Sequence, residues 1–121
     1  MIELFVQLPR GMRGTTLHIP YYTTHNLRLK VVHELELRPV DLTGANVYMT
    51  IRKDVGVDPT YTINFAGVQE AVDGVVTGTW AMSANMMPGR YIYDIWGTID
   101  GALIQLAPLS VLMVQNTTAT P

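Results

Sequence analysis

The stretch from Asp41 to Lys53, DLTGANVYMTIRK, constrains the fold more than any other part of the chain. Asp41 and Thr43 offer side chains that cap their own backbone, and Gly44 is free to take positive φ, so the chain reverses there. Beyond the reversal, Val47, Met49 and Ile51 alternate with Asn46, Tyr48, Thr50 and Arg52. That period of two is the pattern of a strand with one buried face. A slip of one residue would turn the whole apolar row outward, so the register is strongly set. These residues specify an antiparallel β domain and name no chemistry.

The rest of the sequence repeats the theme. Residues 2–8, IELFVQL, form a short apolar run stopped by Pro9 and the glycines at 11 and 14, in a loop carrying Arg10 and Arg13. Thr15 to Ile19 is a second short β candidate, ended by Pro20. The first 24 residues therefore read as an arm with strand-forming pieces, ahead of a β-sandwich over 25–114 and a polar tail over 115–121 expected to fray. Residues 25–32 alternate Leu27, Leu29 and Val31 with Arg28 and Lys30. With HELELRPV and the turn at 41–44, they are expected to form a hairpin with the 46–52 strand. Further strands are expected at 60–65, 75–82, 90–97, 102–106 and 109–114. Gly78 marks a bulge or a close backbone approach, and Asp100-Gly101 a tight hairpin turn. Ser83 as N-cap and Pro88-Gly89 as a stop place one short helical turn near 83–87. Eight or nine short β segments with turn-bounded spacing indicate an all-β, single antiparallel sandwich.

Size and composition bound the rest. With 121 residues and 13.4 kDa the chain suits one domain. Charged residues make up 15%, below the roughly 25% of an average soluble domain, which suggests a surface partly covered by partners. A net charge of −2 and pI near 5.8 supply none of the basic excess that nucleic acid draws. There is no cysteine, hence neither a disulfide framework nor a thiolate metal site. The N-terminus lacks the order and apolar length of an export signal, and no apolar run is long enough to span a bilayer.

Candidate chemistry is sparse. His18, His25 and His33 could join Glu34 or Glu36 around zinc, but their spacing matches no compact metal motif. Ser83 and Ser110 lie in no nucleophile elbow. Asp94 and Asp100 are the candidate carboxylate pair for glycoside hydrolysis, although a strand carboxylate more often faces solvent or anchors a turn. GMRG lacks the spacing and lysine of a phosphate loop. Tyr48, Tyr61, Trp80, Tyr91, Tyr93 and Trp96 could stack on sugars, with core packing the default reading. No catalytic residue, cofactor or metal is expected.

The order of these pieces resembles a known family. LRLKV, the connection ending DLTGANVYMTIRK, a turn-rich middle, PGRYIYDIWGTIDG and a closing apolar strand are similar to the small immunoglobulin-like β-sandwich domains of tailed-bacteriophage virion proteins. Such domains occur at the N-terminus of upper baseplate proteins and in related tail and neck components. The match spans about Asn26 to Val114. The resemblance implies a non-enzymatic structural protein of the virion, made in the host bacterial cytoplasm, which docks to copies of itself and to other virion proteins, without nucleic acid or membrane. The family often carries a longer receptor-binding region after this module. A module with an arm fits a connector, neck, baseplate or decoration subunit. Ile2, Leu4, Phe5, Val6, Leu17 and Ile19 are the arm residues expected to supply contact area. The alternative is a carbohydrate-binding module for a host surface glycan, tested at Trp80 and Trp96.

Overall fold

A computed structural model of the protein describes residues 2–8, 10–12, 16–21, 24–82 and 87–115. Among them the strands are β1 (Ile2–Leu8), β2 (Leu17–Pro20), β3 (Thr24–His33), β4 (Asn46–Arg52), β5 (Pro59–Asn64), β6 (Val75–Ala81), β7 (Gly89–Ile99) and β8 (Ala102–Gln115). They form a three-stranded sheet ordered β1-β3-β6 and a five-stranded sheet ordered β2-β8-β7-β4-β5. The alternation read from the sequence sets which face is buried. Leu27, Leu29 and Val31 of β3 join Val47, Met49 and Ile51 of β4 and Tyr91, Tyr93 and Ile95 of β7 in one hydrophobic cluster. Each fully buried aliphatic side chain contributes about 1.5–3 kcal/mol, so the paired inward rows hold the two sheets together.

The Asp41–Gly44 turn forms as its residues dictate. The Asp41 carboxylate accepts the Thr43 backbone N–H at 2.9 Å, the Ala45 N–H donates to the Leu42 carbonyl, and Gly44 sits at φ 75°. The strand it launches does not, however, pair with β3. That expected hairpin is corrected: β3 lies in the three-stranded sheet and β4 in the five-stranded one. The connector instead crosses between the sheets. Its Val40 N–H bonds back to the Val31 carbonyl and its Leu42 N–H to the Ala71 carbonyl, while Leu42 is fully buried. Gly74 packs under this crossing at φ 78°, and a Cβ there would lie 2.5 Å from the Val31 carbonyl oxygen.

The sheets are mixed, which corrects the purely antiparallel expectation. β1 runs parallel to β3 and β2 parallel to β8. A short turn joins only antiparallel neighbours, and between β1 and β3 the chain visits the other sheet. Met12 donates its N–H to the Leu106 carbonyl, then β2 runs beside Leu112–Gln115. The first 24 residues are thus not set apart from the 25–114 unit: their strands are woven into both sheets.

Two further expectations change in detail. The segments at 102–106 and 109–114 are one strand, β8, whose register against β7 shifts between Tyr93 and Ile95 and again between Ile95 and Trp96. Pro108 falls in this irregular stretch, where a missing N–H costs the ladder little. The helical turn expected near 83–87 falls mainly on 83–86, outside the described residues. A 3-10 turn occurs at Ala71–Asp73, within a region read as turn-rich. The Asp100-Gly101 hairpin forms with φ values of 51° and 79°, joining β7 to β8. Positive φ at both positions is the primed turn that suits the twist of a two-residue hairpin.

Candidate interaction surfaces

Open strand edges are the parts of a β domain most ready to bind another chain, and folded proteins usually guard them. The two sheets end at β1, β6, β2 and β5. β2 is only four residues long and ends in Pro20. β5 begins with Pro59, is mostly polar, and has a register shift against β4. The β6 edge is covered at Thr77 by Gly67, which exchanges two backbone hydrogen bonds with it, each 2.9 Å. β1 has no proline, and its pairing with β3 is in unbroken register over all seven residues.

The outer edge of β1 is defined by its hydrogen bonds. The Leu8 carbonyl accepts from the Glu34 N–H on the β3 side, while the Gln7 carbonyl accepts from the Gly11 N–H on the other. Backbone groups alternate along a strand, so those of Glu3 and Phe5 point to the open edge, and Gly11 closes it at Gln7. The side chains alternate as well. Leu4 and Val6 are buried, whereas Phe5 is 50% exposed. On this outer face Glu3 pairs with Arg28 at 3.6 Å, and Phe5 lies level with Lys30.

The six expected arm residues therefore divide. Leu4, Val6 and Ile19 are in the chain's own core, Ile2 and Leu17 pack against it, and Phe5 is exposed. The turn and core-strand residues hold the places read from sequence: Asp41 and Gly44 are exposed in the turn, and Val47, Met49 and Ile51 are buried.

The aromatics also divide. Trp80 is fully buried, with its ring 6.1 Å from that of His25 and 6.0 Å from that of Tyr61. It cannot serve as a sugar platform, which corrects that part of the glycan reading. Its indole Nε1 has no hydrogen-bond partner among the described residues. Trp96 faces the other way. It pairs across the ladder with Tyr48 on the outer face of the five-stranded sheet, and its Nε1 donates to the Asp94 Oδ2 at 3.1 Å. Thr50 lies opposite Asp94, and Asn64 and Gln105 extend the Tyr48–Trp96 row. Tyr91 holds its hydroxyl on the Met87 carbonyl at 2.7 Å, with Lys53 Nζ 4.6 Å above its ring. Burial, and then the neighbouring Tyr21, raise its pKa.

The remaining candidates do not converge. His18 is on β2 beside Gln115, and His25 and His33 stand near opposite ends of β3. Among the described residues no group of three His, Asp or Glu side chains is placed to hold a metal. Asp94 is in the middle of β7, and Asp100 lies in the hairpin about 20 Å along the strand. Arg10 is paired with Glu34 at 2.9 Å. Gly78 is a close approach, since a Cβ there would meet the Asn64 carbonyl oxygen at 3.1 Å. Beside it an open groove of about 330 Å³ is lined by Asn64, Ala66, Gly67, Thr77 and Thr79. No helix among the described residues is long and apolar enough to cross a membrane.

No protein-family model matches the chain, and no curated protein is similar to it. Among solved structures, the N-terminal domain of phage TP901-1 ORF48 is similar at 13% identity and a TM-score of 0.49, over 96% of this chain and 100% of that one. Sequence reasoning found the exposed Phe5 only as one member of an apolar run. Its outward direction could have been read from the strict alternation of Leu4, Phe5 and Val6.

Proposed function

We propose that the chain is a non-enzymatic structural subunit of a tailed-phage virion, with an immunoglobulin-like sandwich core, acting through self-association and docking to other virion proteins. The observation that carries this reading is the β1 edge, open at Glu3 and Phe5 among the described residues, with Phe5 half exposed upon it. An edge left open beside three that are short, proline-bearing or covered is suited to contact rather than to solvent. The sequence resemblance of 26–114 to virion sandwich domains supplies the setting. Virion proteins work by fixed geometry, and a core tied through both sheets presents its edges rigidly. The test is fractionation of phage particles from a host carrying the gene, followed by detection with an antibody to this chain. The chain is expected to co-sediment with particles in constant proportion. Recovery only in the soluble lysate would contradict a virion role.

A second reading is favoured by Tyr48 and Trp96. An indole oriented by Asp94, flanked by hydroxyl and amide side chains, is a surface on which a sugar ring can stack. On that reading a glycan array gives specific binding that a folded Trp96→Ala variant loses. Binding retained by Trp96→Ala, or none at all, counts against it.

A further inference from the structure

We propose that two copies of the chain pair antiparallel through β1, about a two-fold axis at Leu4, joining their three-stranded sheets into one continuous sheet. This rests on the self-association reading above and gives it a register.

The backbone supports one alignment. Among the described residues, only Glu3 and Phe5 turn their N–H and C=O groups to the open edge before Gly11 closes it at Gln7. In an antiparallel ladder, residues facing each other through such groups exchange both bonds, and every second pair does so. Centring the axis on Leu4 sets Glu3 opposite Phe5 of the second copy and Phe5 opposite its Glu3. All free edge groups are then used. Centring the axis on Phe5 instead would require Gln7, whose carbonyl is already bonded at 2.6 Å to Gly11.

The side chains agree with this register on both faces. Inside, Leu4 meets Leu4, and the half-buried Ile2 meets the buried Val6 of the second copy, extending the core cluster across the seam. Outside, each Glu3 lies between its own Arg28 and the partner's Phe5, so like charges do not face each other. The ring of Phe5, half exposed in the single chain, is covered. A two-fold contact requires a surface complementary to itself, and this short edge meets that requirement with a second copy of the chain.

The chain has no cysteine, so single cysteines report the register. Glu3→Cys and Phe5→Cys are purified separately and then mixed under oxidised glutathione. Positions 3 and 5 of opposing copies lie about 5.5 Å apart between Cα atoms, within disulfide reach. Positions 3 and 3, or 5 and 5, are diagonal at about 7–8 Å and outside it. The mixture is expected to form a cross-linked pair at least fivefold more abundant than either variant alone. Equal cross-linking in all three samples, or none, overturns the register.

Two substitutions test the edge itself by sedimentation velocity. Phe5→Pro removes an N–H that β3 does not use, a change an edge strand tolerates, and Phe5→Glu sets like charges opposite Glu3. Both are expected to sediment as the single chain at concentrations where wild type associates, and Phe5→Lys is expected to keep associating. If Phe5→Pro melts early, Phe5→Glu decides. Association retained by Phe5→Glu overturns the pairing. Failure here with the chain still present in particles removes this contact but not the virion role. The cross-link without particle incorporation keeps the contact and removes that role.

Discussion

Gly44 shows how a single residue sets the fold. A Cβ at this position would meet nothing within 4 Å, so the cost of a side chain comes from φ 75° alone. Gly44→Val should destabilise by about 1–2 kcal/mol, lowering the melting temperature by roughly 4–10 °C. An unchanged melt would mean that the turn does not need positive φ. Asp41 contributes through its charge. Hydrogen bonds from the Thr43 hydroxyl, and then from its backbone N–H, lower the Asp41 pKa. The folded state thus favours the ionised carboxyl. The associated stability is fully present above the unfolded value near 4 and is lost as pH falls through the lower folded value. Asp41→Asn keeps an acceptor for Thr43 but has no proton to gain, so thermal melts from pH 5 to 2 should fall less steeply than for wild type. Parallel curves would contradict this. Both residues were legible in the sequence because a turn is local chemistry. The burial of Trp80 was legible only as the default for an aromatic, because alternation separates the two rows of β6 without saying which one faces the other sheet.

At the scale of elements, the strands were legible but their partners were not. Period-two patterning gives a strand its faces, whereas pairing depends on where the connections travel. HELELRPV and its turn look the same whether they close a hairpin or cross between sheets. What decides is long-range, since Leu42 is buried and bonded to Ala71 from a distant segment. The same limit hid the role of the first 24 residues. Leu4, Val6 and Ile19 belong to the core, and β1 and β2 flank β3 and β8. Removing residues 1–24 should therefore abolish cooperative unfolding. The truncation takes the four buried core side chains Leu4, Val6, Met12 and Ile19, each worth about 1.5–3 kcal/mol, against a total stability of about 5–15 kcal/mol. Circular dichroism would check this: a truncated chain melting cooperatively near the wild-type temperature would show that the segment is dispensable to the fold.

At the scale of the whole molecule, two interwoven sheets make a rigid body whose titration should be cooperative. Burial raises the Tyr93 pKa, opposed by a hydrogen bond with Ser110, and Tyr91 is raised as well. The neutral phenols are favoured in the folded state. That stability is present below the unfolded value near 10 and is lost as pH rises through the folded values. Phenolate absorbance should therefore show a late fraction that appears together with loss of β structure, whereas a single early titration with the fold intact would contradict it. The core explains how the chain folds, and the assembly role proposed for it rests on the β1 edge. The most direct measurement is the molar mass of wild-type protein by light scattering across a concentration series. The mass should rise from 13.4 kDa toward twice that value. A mass of 13.4 kDa at every concentration would contradict self-association.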